Sequence, residues 1–395
     1  MGASEARAQI GGQTLTWVGG AGINWSTRQN WSPAEIPSRG DDLVFPVSTF
    51  IIATNDLVDL SVNSITISDG YTIGGLALEI TGDPGLLVQT PQAVTVALDL
   101  TLNRDPIHVA SNDGTLELSG HVTSRNFVKQ GAGTLVLSGA NDINDLVGED
   151  GCGVIRATNA LALGASLTGN IEIGQNCTLR VEANTTLDKP VVLNGSGAPG
   201  STGALVITDG VTLTEQLDLQ LNSPATVSVL SLATLSLPNT ALPLTLNSAL
   251  TLNVAGAALI SRSIAGTGDL IKEGNGPLTV DKINSYTGQT IIRAGRFDSN
   301  GAVQANSPVV LDGGTLSGAG TVGPISATAT GGTISVGRVG GDRLDTGSLT
   351  MTRLGGVVGI GPAHHRRCAE PYQRQQAAHH HRADLLERHV PKPVP

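Results

Sequence analysis

The chain has 395 residues, of which 51 are Gly and 19 Pro; it is 39% hydrophobic, only 3% aromatic and 14% charged, with a formal charge of −10 from 23 basic and 33 acidic side chains. A long coiled coil needs about half its residues from Ala, Glu, Lys, Leu and Arg, and a disordered chain needs low hydrophobicity with dense charge, so both are excluded, as is collagen for want of a glycine at every third position. Two or three ordinary domains would want many aromatic anchors, whereas a stack of thin, similar layers fills with Val, Ile, Leu, Ala and Thr, so the composition favours a solenoid.

Residues 1–14 read as a disordered stub or the remnant of a signal. Ala6-Arg7-Ala8 ahead of Gln9 has the small-x-small pattern of a signal-peptidase site, but Met1 to Glu5 supply no apolar stretch. No complete signal peptide is expected in the chain; its start is read either as a hydrophilic stub or as one called too far downstream. Residues 15–50 form a Trp-rich segment: Thr16-Trp17-Val18-Gly19-Gly20, Trp25, Asn30-Trp31, Pro37 and Gly40-Asp41-Asp42-Leu43-Val44-Phe45. A solenoid end exposes unpaired strand edges and an open core, which a compact aromatic segment can cap. Arg39-Gly40-Asp41 spells an integrin-type tripeptide, but its Gly and Asp belong to this opening pattern and are read as structural.

From residue 51 to 353, short alternating runs follow one another about every ten residues. Val62 to Ile67, Val94 to Leu100 and Leu217 to Leu221 have the period of two that marks strands, and Asp69-Gly70, Gly74-Gly75, Asp113-Gly114 and Asp209-Gly210 supply turns. No apolar 3.6-residue periodicity with caps interrupts them, which argues against βαβ folds. Internal repetition separates a parallel solenoid from a sandwich. Lys129-Gln130-Gly131-Ala132-Gly133-Thr134-Leu135, leading to Asn141, returns as Lys272-Glu273-Gly274-Asn275-Gly276-Pro277-Leu278, leading to Asn284, at a constant offset of 143. Units that each expose an apolar face must stack to bury it.

On these residues the chain resembles the autotransporter-associated β-strand repeat, whose pattern reads Lys-x-Gly-x-Gly-Thr-Leu-x-Leu-x-x-x-Asn-x-Tyr-x-Gly-x-Thr-x-Ile-x-x-Gly. The second copy follows it through Tyr286, Gly288, Thr290, Ile292 and Gly295, with Pro277 and Val280 as departures. In the first copy Ile143 stands at the Tyr position, and Gly148 to Gly153 look like an insertion. The Trp-rich opening and the glycine-rich turns of Gly318 to Gly323 and Gly331 to Leu349 are similar to the elements that flank such repeats. The resemblance implies an all-β, right-handed parallel β-helix, secreted or displayed at the cell surface (outer membrane), with an adhesin's partners: surface glycans or host and matrix proteins. The family's translocator barrel is expected to be absent from this chain.

Beyond Gly356 the character changes. Six of eight histidines (His364, His365, His379, His380, His381, His389) and five arginines cluster there, so residues 354–395 read as a disordered tail or as translation in a shifted frame. With Arg366, Arg367, Arg374, Arg382, Arg388 and Lys392 set aside against Glu370, Asp384 and Glu387, the first 360 residues hold 17 basic and 30 acidic side chains, a charge of −13. Such a body repels phosphate backbones, and nucleic acid is not expected as a partner. Nor does any run of 18 apolar residues suggest a membrane span.

No catalytic, cofactor or metal residue is assigned. The tail histidines with Cys368 offer metal donors but no scaffold. Cys152 and Cys177 are 25 residues apart, about one coil, so they stack in adjacent layers either as a disulfide or as buried free thiols; the thiol reading is preferred. Gly195 to Gly200 matches GxGxxG, yet a strand rather than a helix follows. Asp41-Asp42 and Glu149-Asp150 come nearest to a glycosidase pair, but they read as solvated turns. His108 and His121 are the only histidines of the body, which leaves a general base hard to assemble, and Lys129 and Lys272 are given a structural place beside the repeat strands. The expectation is a non-enzymatic passenger-like protein, structural or adhesive. The alternative is a polysaccharide-active β-helix, lyase or hydrolase, with a groove of converging carboxylates and a basic residue. Coils of about 25 residues stacking at about 4.8 Å would give a body near ~60 Å.

Overall fold

The computed structural model describes residues 12–103, 107–111, 114–164, 168–216, 218–301, 307–336, 344–346 and 348–351. The tail readings, the metal donors of 364–389 among them, and the side chain of His108 lie outside the described residues.

The described chain is a parallel β-helix, and each rung is three short strands. Leu86–Val88 leads to Ala93–Val96 and Leu100–Leu102, and Ile107–Ser111 then returns beneath Leu86–Val88. A first face runs from Ile52–Asn55 to Leu349–Met351 through pairings that are parallel at every step, such as Thr134↔Val154 and Leu252↔Lys272. The third face runs from Thr14–Trp17 to Ile264–Gly266. The second face has two parts. Leu60–Val62 to Val122–Gln130 belong to the main sheet, and from Thr185–Leu187 to Thr333–Val336 a separate eight-stranded sheet takes over.

Alternation explains the core. In Leu250-Thr251-Leu252-Asn253-Val254 the odd members of the run are buried and Thr251 and Asn253 are half-buried outside, as successive strand side chains must point to opposite faces. In register these inner residues form unbroken columns: Leu116, Leu135, Ile155, Leu179, Leu205, Val227 and Leu252 lie one above another. No single rung could shelter such a column, so stacking supplies the burial.

Rung length varies more than a 25-residue coil allows. The step is 16 residues from Val309 to Ile325, 19 from Thr115 to Thr134, 24 from Val154 to Thr178 and 28 from Val191 to Leu219. Turns between strands absorb the difference while the ladders keep their spacing. Since most rungs are shorter than expected, more of them fit, and the first face extends roughly 70 Å rather than ~60 Å.

The amino-terminal end is closed by the Trp-rich segment. Among the described residues the one antiparallel pairing is that of Trp31–Ser32 with Thr14–Trp17, which lays a reversed strand along the end rung's exposed edge. Trp17 and Trp25 each meet Trp31 edge-on, with centroids 5.1 and 5.8 Å away, and Phe45 sits 5.8 Å from Trp31 and 5.2 Å from Tyr71. All five rings are buried, so aromatic filling is densest in the first rungs; farther along, aliphatic columns take over with single buried rings at Phe127, Tyr286 and Phe297. One 3₁₀ turn, Arg28–Asn30, is the helical element of the described residues, and no helix is long and apolar enough to cross a membrane.

Candidate functional site

The repeat residues build the same cage twice. Lys272 occupies the place in the inner column that Leu252 and Ile292 hold on neighbouring rungs. Its stem is buried, and Nζ turns to the backbone, donating to the carbonyls of Glu273 (2.6 Å), Gly274 (2.6 Å) and, on the next rung, Ala294 (3.2 Å). Lys129 does likewise toward Gln130 (2.8 Å), Gly131 (2.6 Å) and Cys152 (2.8 Å). Burial pushes both ammonium groups down to about 8. The structural place expected for these lysines is therefore specific: each ties its own turn to the rung that follows.

Further residues complete the unit. Asn141 Oδ1 accepts the amide of Val122 on the preceding rung (2.9 Å), and Asn284 Oδ1 accepts that of Ile264 (2.8 Å). Gly153 and Gly295 follow the caging carbonyls at φ +69° and +64°. A Cβ at either would lie 2.1 Å from Ala132 O or 2.4 Å from Gly274 O, so only glycine fits. Cys152 thus stands where the second copy has Ala294, and the Gly148–Gly153 stretch carries the motif on. Ile143 and Tyr286, which share one repeat position, are both fully buried, and burial pushes the Tyr286 phenol up to about 12.

The cysteines are joined. Cys152 and Cys177 form a disulfide with Cα atoms 4.8 Å apart, which corrects the free-thiol reading; the parallel register Gly153↔Cys177 brings the pair together. Its sulfurs fill the space beside Gly148, where a Cβ would lie 2.5 Å from Cys177 Sγ and 2.9 Å from Cys152 Sγ.

Asp41 is also corrected. It is 2% exposed and accepts the amides of Gln13 (3.0 Å) and Ser38 (2.8 Å) and the Ser38 hydroxyl (3.0 Å), so it locks the opening turn instead of facing solvent. The Arg39-Gly40-Asp41 tripeptide consequently offers no free carboxylate. Asp42 accepts from Asn63 Nδ2 (2.7 Å) and Ser64 Oγ (2.5 Å) on the next rung. Gly195 closes the strand Val191–Gly195, and Ser196 to Gly200 form a loop leading to the strand Leu205–Ile207 rather than to a helix, as read from the sequence.

Glu149 and Asp150 have a different setting. At the turn from third to first face they line, with Glu172, Gln175, Asn194 and Asn222, an open depression of about 480 Å³. Gln130 Nε2 donates to Glu149 (2.7 Å), and the Gln175 amide donates to Asp150 (2.7 Å). No Lys or Arg is among its lining residues. The arrangement can accept and donate hydrogen bonds to a hydroxyl-rich ligand. Among the described residues no group of three or more His, Cys, Asp or Glu is placed to hold a metal ion.

Two buried cations escaped the sequence reading. Lys189 Nζ donates to Ile143, Asn144 (3.0 Å) and Leu163 (3.1 Å), reaching back across two rungs. Arg262 does the same, to Pro238 one rung back (3.3 Å) and to the backbone and carboxylate of Glu215 two rungs back, the ion pair being 3.1 Å. Their partners lie up to 46 and 47 residues away, so no local motif announces them.

The profile of the passenger-associated-transport repeat matches residues 127–144 and 270–297, the two segments that make these cages. The chain carries that repeat twice. It is a passenger-like β-solenoid. No curated protein and no solved structure matches it. In the first repeat the lysine strand belongs to the third face and Thr134–Leu137 to the first. In the second, Leu270–Glu273 belongs to the first face and Pro277–Val280 to the second. The same unit recurs one face out of step.

Proposed function

We propose that this chain is a non-enzymatic rod, secreted or displayed at the outer surface of a cell, with a structural or adhesive role. The observation that carries the reading is the use of polar side chains to tie rungs together: the lysine cages, the bridging asparagines and Asp42 all serve the stack. The acidic balance of the chain and its solvent-facing depression of acids and amides suit multivalent weak contact with surface glycans or matrix proteins. The cross-rung disulfide fits an oxidising compartment.

The test is binding of the purified full chain to a panel of glycans and matrix proteins, with fractionation of the producing cells. Capture on the panel without new reducing ends, and recovery in the outer-surface or medium fraction, are expected. Polysaccharide cleavage would overturn the non-enzymatic assignment. That second reading draws on the gathering of Glu149, Asp150 and Glu172 in one depression, whose lining residues include neither Lys nor Arg.

A further inference from the structure

The two repeats differ at one point that the motif does not encode. In the second, the turn at Ala294–Gly295 faces Gly313 and Gly314 on the following rung. In the first, the corresponding Cys152–Gly153 turn is bonded through Cys177 to its following rung. That rung is also the longer one: Gly148 to Ile173 spans 25 residues, and the equivalent Ile292 to Leu311 after the second copy's turn spans 19. Within the long span Leu161–Leu163 is a turn where neighbouring rungs have a strand on the second face.

We propose that the Cys152–Cys177 disulfide is an oxidation-dependent staple that sets the Glu149–Gly153 turn, and with it both the first lysine cage and the acid-and-amide depression. Four hydrogen bonds hang on that turn. Gly151 N donates to Gln175 O (2.7 Å), Gly174 N to Gly148 O (2.8 Å), Cys152 N to Glu149 O (3.0 Å), and Gln175 N to Asp150 Oδ1 (2.7 Å). Each lies within a few residues of a cysteine, and the carbonyl of Cys152 is itself the third acceptor of Lys129. Both cysteines are fully buried, with the sulfurs packed against Gly148, which lines the depression from the core side. Without the bond the two sulfurs no longer fix the turn to the strand Cys177–Val181. Glu149 and Asp150 then lose their fixed position relative to Glu172 and Gln175.

Closing the staple takes two thiols to one disulfide, with two protons and two electrons passing to an oxidant of the protein-disulfide class. A dithiol reverses it and ends as the cyclic disulfide. The chain therefore forms a complete first repeat in an oxidising compartment and an incomplete one where thiols stay reduced, while the second repeat forms in either.

Native-state hydrogen exchange on the full chain tests this, with the second repeat as the internal reference. Unstapled protein is made as Cys152→Ser/Cys177→Ser and, to keep the space filled, as Cys152→Ala/Cys177→Val. Expected is a loss of protection of about tenfold or more at the amides of Gly151, Cys152, Gly174 and Gln175 in both variants, with Gly276 and Thr315 unchanged. Unchanged protection at those four amides, or an equal loss in both repeats, overturns the proposal. If the serine variant does not fold, the alanine–valine variant decides. A thiol titration in denaturant that finds Cys152 and Cys177 free in protein made in an oxidising compartment also overturns it. This outcome is independent of whether the rod binds glycans.

Discussion

The repeat that begins at 127 and the repeat that begins at 270 have the same lysine cage, the same bridging asparagine and the same left-handed glycine on the following rung, yet they sit on different faces of the solenoid and only one is stapled. The unit is therefore defined by contacts between adjacent rungs rather than by an angular position around the axis. A ladder keeps its spacing whichever face carries it, so a strand–turn–strand unit that satisfies its own carbonyls can be inserted at any corner.

The glycines give the most severe test of that equivalence. Gly153→Ala and Gly295→Ala each place a Cβ against a backbone oxygen at positive φ, and each should lower local stability by about 3 kcal/mol. Because a solenoid can open locally, the reading is exchange protection of the flanking amides rather than a single melting temperature. A loss in one copy and not the other would break the equivalence.

A smaller effect is expected from Asn141→Ala and Asn284→Ala, which strand the buried amides of Val122 and Ile264 at about 2 kcal/mol each. The two should diverge in reach. Asn141 Nδ2 donates to Ala162 O on the next rung (2.7 Å), while Asn284 Nδ2 returns to Lys282 O in its own turn (2.8 Å). Protection should fall on both neighbouring rungs for Asn141→Ala and chiefly on the preceding one for Asn284→Ala.

Lys129→Met and Lys272→Met keep the apolar stem and remove the donors. A loss of about 1 kcal/mol in each is expected at neutral pH, because the carbonyls lose their partner while a buried charge is also removed. The smallest signal is the pH dependence. With folded values of about 8 below the ordinary ~10.4 of lysine, the unfolded chain holds more protons between these two limits. The stabilising contribution is then present above the unfolded value and lost as pH falls through about 8. Denaturation midpoints should rise from pH 8 to pH 10 in the parent and rise less in the double methionine variant; identical profiles would show that the carbonyls hold the ammonium groups at their ordinary value.

Much of the architecture was legible because strand alternation is a local property. Runs such as Leu250 to Val254 declare which side chains turn inward, and the repeated lysine motif declares stacking. What escaped depends on register between distant residues. The 25-residue spacing of Cys152 and Cys177 suits one coil, but with steps of 16 to 28 residues a spacing alone cannot say which side chains meet. Arg262 and Glu215 are two rungs apart, so their ion pair requires two such steps to be known. Asp41 looked like a turn carboxylate, and only the return of Gln13 to its side reveals why it is buried. Glu149 and Asp150 gain Glu172, Asn194 and Asn222 as neighbours through the ladder of the third face, a gathering that no stretch of sequence contains.

The aromatic packing of the first rungs has a practical outcome for watching the molecule unfold. Trp17, Trp25 and Trp31 are the only tryptophans of the chain, and they are buried together against Phe45. Intrinsic indole emission thus reports one terminus alone. A fluorescence transition would register fraying of that end while remaining blind to loss of either repeat, and a probe placed near Phe297 would be needed to observe the other extremity.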